Sequence, residues 1–182
     1  MEYRKMENLG ISTSLLGFGC MRFPTNTDGS INEEEALAMI DRAYQAGVTY
    51  FDTAYPYHNG RSEVVTGKAL ARYPRDSYYL ATKLPVWAVK TIDDVERIFQ
   101  EQLQRLEKEY VDFYLMHALD SERWKGVKEL DILGYCEKLR AEGKIKYIGF
   151  SFHDDYEVFE EIITSYKWDF CQIQLNYMDK DT

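Results

Sequence analysis

Gly47-Val48-Thr49-Tyr50-Phe51-Asp52-Thr53-Ala54-Tyr55-Pro56-Tyr57 sets a carboxylate at the end of a short β-branched and aromatic run, with a tyrosine five residues later. Bounded by Gly47 and Pro56, the run predicts a buried strand. Two further runs also end in ionisable side chains: Tyr78-Tyr79-Leu80-Ala81-Thr82-Lys83, and Tyr110-Val111-Asp112-Phe113-Tyr114-Leu115-Met116-His117. Ligands collect at the carboxyl ends of parallel strands that helices separate, so ionisable groups repeated there are expected of an α/β enzyme.

Helical periodicity fills the intervals. Gly17-Phe18-Gly19-Cys20-Met21-Arg22 predicts a first short strand, and Asn32 with Glu35 three residues on predicts a capped helix that buries Leu37, Ile40, Ala43 and Tyr44 and ends at Gly47. Helices are also predicted from Ser62 and from Thr91, the latter with a stripe of Ile92, Val95, Ile98, Phe99, Gln102, Leu103 and Leu106. Residues 127–141 predict one more helix, 145–151 a strand, 154–166 a helix and 169–174 a strand. Upstream, Leu9-Gly10-Ile11-Ser12 between short apolar runs predicts a hairpin that plugs the bottom of the fold.

Strand-then-helix repetition with strands apolar on both faces means a parallel sheet covered by helices. The first strand lacks a GxGxxG, and ionisable residues end strand after strand instead of clustering at one switch point. Both features favour a (β/α)8 TIM barrel over a doubly wound sheet. At 182 residues the chain falls short of the ~250 typical of that barrel. The expectation is one domain over 1–182: an incomplete barrel of about six β/α units plus the hairpin, with its first and last strands left as open edges.

A net charge of -9 and the lack of a Lys/Arg-rich run make nucleic acid and anionic lipid poor partners. Met1-Glu2-Tyr3-Arg4-Lys5-Met6 does not resemble a signal peptide, and no apolar run approaches a membrane span, so a cytoplasmic protein is expected. Cys20, Cys136 and Cys171 are odd in number and widely spaced, which fits buried thiols better than disulfides.

The chemistry lies in the combination. A lysine that finishes an apolar strand needs a carboxylate partner, and Asp52 is the one available. A free phenol, with a pKa of about 10, donates protons poorly at neutral pH, and a neighbouring ammonium makes it a better acid. Asp52 would keep Lys83 charged and aimed, Tyr57 would deliver a proton to a carbonyl oxygen, and His117 would orient and polarise that carbonyl. His58, Trp87 and the stretch 118–125 with Trp124 follow strand ends and are expected to line the substrate pocket.

The chain resembles the aldo-keto reductases in Gly17-Phe18-Gly19-Cys20-Met21-Arg22, in Asp52-Thr53-Ala54-Tyr55-Pro56-Tyr57, in Gly60-Arg61-Ser62-Glu63, and in the strands ending at Lys83 and His117. The likeness continues through Lys146-Tyr147-Ile148-Gly149-Phe150-Ser151 and Gln172-Ile173-Gln174-Leu175-Asn176. It implies a (β/α)8 barrel that binds NADP(H) and transfers hydride between it and an aldehyde or ketone substrate, with Asp52, Tyr57, Lys83 and His117 as the catalytic tetrad. It further implies that Ser151 and Gln172, with Asp52, meet the nicotinamide end and that Cys20 and Met21 touch the cofactor. Where the family commonly has Asn after the serine, this chain has Phe152-His153, so His153 is expected in that role. The family's 2'-phosphate loops follow the sixth strand, beyond Thr182. Bacterial members with a downstream iron-sulfur extension are similar too.

Two other readings compete. A zinc hydrolase on the same barrel would use His58, His117, His153 and Asp52 as ligands, although no HxH or HExxH pairs them. A non-catalytic protein of reductase-like fold would use the tetrad to sense the redox state of a bound cofactor.

Overall fold

In the computed structural model, which describes residues 1–176 and Met178, six strands pair in sequence order into one parallel sheet. They are β3 (Phe18–Gly19), β4 (Tyr50–Asp52), β5 (Tyr79–Leu84), β6 (Val111–Leu119), β7 (Ile145–Phe152) and β8 (Phe170–Gln172). Two earlier strands, β1 (Tyr3–Met6) and β2 (Ile11–Ser14), form an antiparallel hairpin with Gly10 at φ 67° in its turn. Helices α1 (Glu33–Gln45), α2 (Arg61–Leu70), α3 (Ile92–Leu106), α4 (Ser121–Glu129), α5 (Ile132–Ala141) and α6 (Tyr156–Ser165) connect the parallel strands. This is a curled half of a TIM barrel, open between β3 and β8 among the described residues.

Register decides which residues meet inside the curl. Asp52 pairs with Ala81 and Ala81 with Phe113; one pleat higher, Lys83 pairs with Leu115, Leu115 with Gly149 and Gly149 with Phe170. Ser151 pairs with Gln172 at the next level. Because side chains alternate across a strand, these residues share the inner face and stack in layers from floor to mouth. The floor is an apolar cluster of Ala81, Phe113 and Leu115, which Met6, Leu9 and Ile11 of the hairpin cover. The hairpin is tied down by the Asn8 amide donating to the Asp169 carbonyl at 2.8 Å and the Ser14 amide donating to Thr49 Oγ1 at 2.8 Å. It therefore plugs the amino-terminal end of the strands and leaves the carboxyl end for chemistry.

On the outer face, Leu80, Leu84, Tyr114, Met116, Ile148 and Phe150 meet the helices in the main core. The expected cap of α1 forms, with Asn32 Oδ1 accepting from the Glu35 amide at 3.2 Å, and Thr91 caps α3 in a capping box with Asp94.

Several elements differ from expectation. The first strand is only Phe18–Gly19, because the chain turns into a 3-10 turn at Cys20–Arg22, where the buried Ser62 hydroxyl donates to the Cys20 carbonyl at 2.8 Å. The helix expected over 127–141 is two helices, split where Asp131 takes a left-handed φ of 50°. β6 does not stop at His117; a bulge at Ala118, φ 52°, carries it to Leu119. β8 ends at Gln172, two residues early.

Candidate active site

Lys83 is almost completely enclosed, at 2% exposure, with Asp52 beside it at 8%. Its ammonium donates to Asp52 Oδ1 at 2.5 Å, to the Thr53 carbonyl at 2.9 Å and to the Tyr57 hydroxyl at 3.3 Å. An ammonium has three hydrogens and here meets three acceptors, so its orientation is fully specified. Tyr57 accepts from Lys83, and its own phenolic hydrogen is left to give away. The loop that delivers Tyr57 is held in an uncommon shape, with His58 at φ 50°, Asn59 at φ 54° and Gly60 at φ 85°.

The Tyr57 and His117 rings meet edge-on at 5.7 Å, and Trp87 covers His117 at 5.1 Å. Burial, with the charges of Lys83, His153 and Arg123 acting in the same direction, pushes the His117 imidazole down to about 3. The ring is therefore neutral at physiological pH, with one N–H to donate and no charge. Its Nδ1 is sealed in the protein without a partner, which leaves Nε2 as the nitrogen a ligand can reach. Burial lifts the Asp52 carboxyl above the ordinary carboxylate range while Lys83 pulls it back, and Asp52 Oδ2 also lacks a partner.

A cleft of about 190 Å³ brings together Tyr57, Lys83, His117, Ser151, His153, Gln172 and Gln174. Ser151 Oγ accepts from the Ala118 amide at 2.7 Å, made possible by the bulge that lifts that amide toward it, so the serine hydrogen is available to an acceptor in the cleft. Gln172 is its direct neighbour in register. Beside this cleft, sharing Phe152, His153, Ile173 and Gln174, lies a larger cavity of about 460 Å³ walled further by Asp154, Tyr156 and Phe159. Tyr156 and Phe159, from α6, had no sequence signal beyond helical spacing.

The remaining expected site residues divide. Met21 is exposed, but the Cys20 side chain is buried and its thiol is pushed up to about 12, so no thiol reaches the mouth. Trp124 is not a pocket residue: it is buried in α4, with its indole N–H donating to Glu161 at 3.0 Å. His58 is turned away as well, its Nε2 accepting from the Phe23 amide at 3.2 Å beside the Phe23 ring. Among the described residues no three His, Cys, Asp or Glu side chains are grouped so as to hold a metal ion, and the zinc reading has no ligand set to stand on.

Residues 15–182 match the family model described as the Aldo/keto reductase family. The chain belongs to the aldo/keto reductase family. As an aldo/keto reductase it is 34% identical over 156 residues to a probable aldo-keto reductase of Glycine max, covering 81% of this chain and 44% of that protein. The chain spans about half the length of the curated relatives it matches. A thermostable aldo-keto reductase solved with the inhibitor epalrestat superposes with a TM-score of 0.80 at 27% identity, over 97% of this chain and 63% of the other. An aldo-keto reductase from Klebsiella pneumoniae solved in complex with NADPH superposes with a TM-score of 0.68 at 28% identity, over 83% of this chain and 49% of the other. The family is one of oxidoreductases, and these neighbours agree with the half-barrel described above.

Proposed function

We propose that this chain supplies the catalytic half of an NADP(H)-dependent reductase of aldehydes or ketones. The observation that carries the reading is the saturated Lys83 ammonium, whose third hydrogen goes to Tyr57 and leaves the phenol as donor at the mouth of the cleft. A substrate oxygen held between the Tyr57 hydroxyl and the His117 N–H would receive two hydrogen bonds from groups fixed in advance, the arrangement that stabilises developing negative charge most effectively. Tyr57 then passes its proton to that oxygen, and the resulting phenolate faces the Lys83 cation at 3.3 Å. Asp52 keeps Lys83 charged and pointed, and the neutral His117 polarises without competing as an acid.

The residues present fit a nicotinamide. Its carboxamide needs one donor and one acceptor, and Ser151 and Gln172 offer both from adjacent register positions on the wall of the cleft. Met21 is exposed in the turn after β3, while the Cys20 side chain is buried and its carbonyl accepts from Ser62. When bound, the dinucleotide would supply the hydride for the substrate carbon. The solved relatives that hold NADPH or NADP support this choice of cofactor.

The test uses the barrel completed to eight β/α units, incubated with NADPH deuterated at the nicotinamide C4 and a panel of aldehydes and ketones. Oxidation of NADPH should be accompanied by transfer of deuterium from its nicotinamide C4 to the former carbonyl carbon. Binding of NADPH without turnover of any carbonyl would favour the non-catalytic reading instead, and absence of both would overturn the proposal.

A further inference from the structure

Directly behind Lys83, on the outer face of the sheet, is a second buried polar cluster that the chemistry above does not use. Glu63 of α2 is wholly buried, and burial lifts its carboxyl above the ordinary range against the pull of its partners. Its Oε1 accepts from Thr82 Oγ1 at 2.6 Å and from the Gln102 amide at 3.0 Å, while Oε2 faces Arg105 at 3.3 Å. Gln102 also donates to the Lys83 carbonyl at 3.0 Å and accepts from the buried Tyr114 hydroxyl at 2.8 Å.

Arg105 carries this cluster to the loop that bears Tyr57. Its guanidinium donates to the Tyr55 carbonyl at 3.2 Å, stacks on the Tyr55 ring at 4.2 Å and pairs with Glu101, which in turn accepts from the Tyr55 hydroxyl at 2.8 Å. It also lies so close under Gly60 that a Cβ there would meet its NH1 at 2.7 Å. The backbone bonds of the loop are short-range ones: the Tyr57 amide to the Ala54 carbonyl at 3.1 Å, the Asn59 amide to the Pro56 carbonyl at 3.1 Å, and the Arg61 amide to the Tyr57 and His58 carbonyls. Three consecutive positive-φ residues persist only where the surrounding structure holds them.

We infer that Arg105, anchored by the buried Glu63, is a positioning residue: it clamps residues 55–60 to α3 and so fixes the Tyr57 hydroxyl against Lys83 and His117. Its effect on turnover rests on the carbonyl-reduction reading; its effect on the loop does not. Displacement of a reacting group by about 1 Å can cost on the order of a hundred-fold in rate, which is the leverage a clamp on this loop would have.

Amide hydrogen exchange and kinetics test the two parts separately. In Arg105→Met the Tyr57 and Asn59 amides should exchange about ten-fold faster or more, while interior β5 amides stay within about two-fold, since local opening and global stability are separable. In the completed barrel kcat should fall about ten-fold or more with the KM for NADPH within about two-fold, the signature of a misplaced acid rather than a lost cofactor contact. Glu63→Gln keeps the Thr82 and Gln102 partners but removes the anchor charge, and should show the same pattern more weakly even where Arg105→Met fails to fold. Loop amides and kcat both unchanged in Glu63→Gln and in a folded Arg105→Met would overturn the inference. A parent barrel that reduces no carbonyl would defeat the functional reading alone, and the exchange result would still decide the clamp.

Discussion

Two buried polar clusters stand back to back on β5, separated by one strand's thickness. On the outer face, Thr82, Glu63, Gln102, Tyr114 and Arg105 each find partners within the protein. On the inner face, Lys83 is saturated, yet Asp52 Oδ2 and His117 Nδ1 are buried without one. A buried polar atom without a partner costs about 1–3 kcal/mol, and Thr66 Oγ1 and the Tyr135 hydroxyl, away from the cleft, also lack one. Between the two clusters on β5, satisfaction of hydrogen bonds marks a difference where burial does not.

The largest effect is expected from Lys83→Met. It strands a buried carboxylate, and removal of one partner of such a pair typically costs about 3–5 kcal/mol. Urea unfolding should show that loss near neutral pH and a partial recovery as the pH is lowered, because Asp52 can then take up a proton. A variant as stable as the parent at neutral pH would mean that Asp52 is not held by Lys83.

Gln102→Leu attacks the outer cluster. It leaves the Tyr114 hydroxyl unpaired and Glu63 short of a donor, for a loss of about 2–3 kcal/mol in the same assay. Unlike Lys83→Met, it removes no charge; because the Gln102 amide helps keep Glu63 ionised, acid should restore only the part of the loss carried by Glu63 and leave the part carried by the Tyr114 hydroxyl. Full recovery in acid would blur the distinction between the two faces.

The effect of titrating His117 is spread over a range of pH and is not read at neutral pH. Its pKa in the fold is about 3, against 6.5 for the unperturbed group, so between those values the unfolded chain binds a proton that the folded chain refuses. The stability is full above 6.5 and is lost as the pH falls toward 3. Asp52 and Glu63, raised by burial, act with the opposite sign, and their contribution fades as the pH rises. His117→Gln should therefore flatten the acid-side decline in the unfolding midpoint over that window. An unaltered decline would mean that His117 is not held neutral.

Much of the fold is legible in the sequence because it rests on local signals: the Asn32 and Thr91 caps, the Gly10 turn and the strict alternation of periods. The meeting of Asp52, Tyr57, Lys83 and His117 is legible because three successive runs end in ionisable side chains and adjacent parallel strands bring such ends together. The misreadings arise where tertiary contacts override local pattern. Trp124 follows a strand as a pocket residue would, yet it packs into the core beside Trp168 and its indole N–H donates to Glu161 of α6. His58 sits beside Tyr57 in sequence, but the left-handed turn sends it to the Phe23 amide. The outer cluster left two traces, a glutamine in the apolar stripe of α3 and Glu63 within Gly60-Arg61-Ser62-Glu63, but the ion pair of Glu63 with Arg105 shows only once α2 packs on α3.

The central claim is that Tyr57 is the proton donor and Lys83, Asp52 and His117 serve it. The most direct measurement is a paired one on the completed barrel: steady-state carbonyl reduction and NADPH titration for the parent and for Tyr57→Phe, which removes one oxygen. General acid catalysis is worth about 10²–10⁴-fold, so kcat should fall by at least about a hundred-fold while the dissociation constant for NADPH changes little. Turnover within a few-fold of the parent would contradict the account.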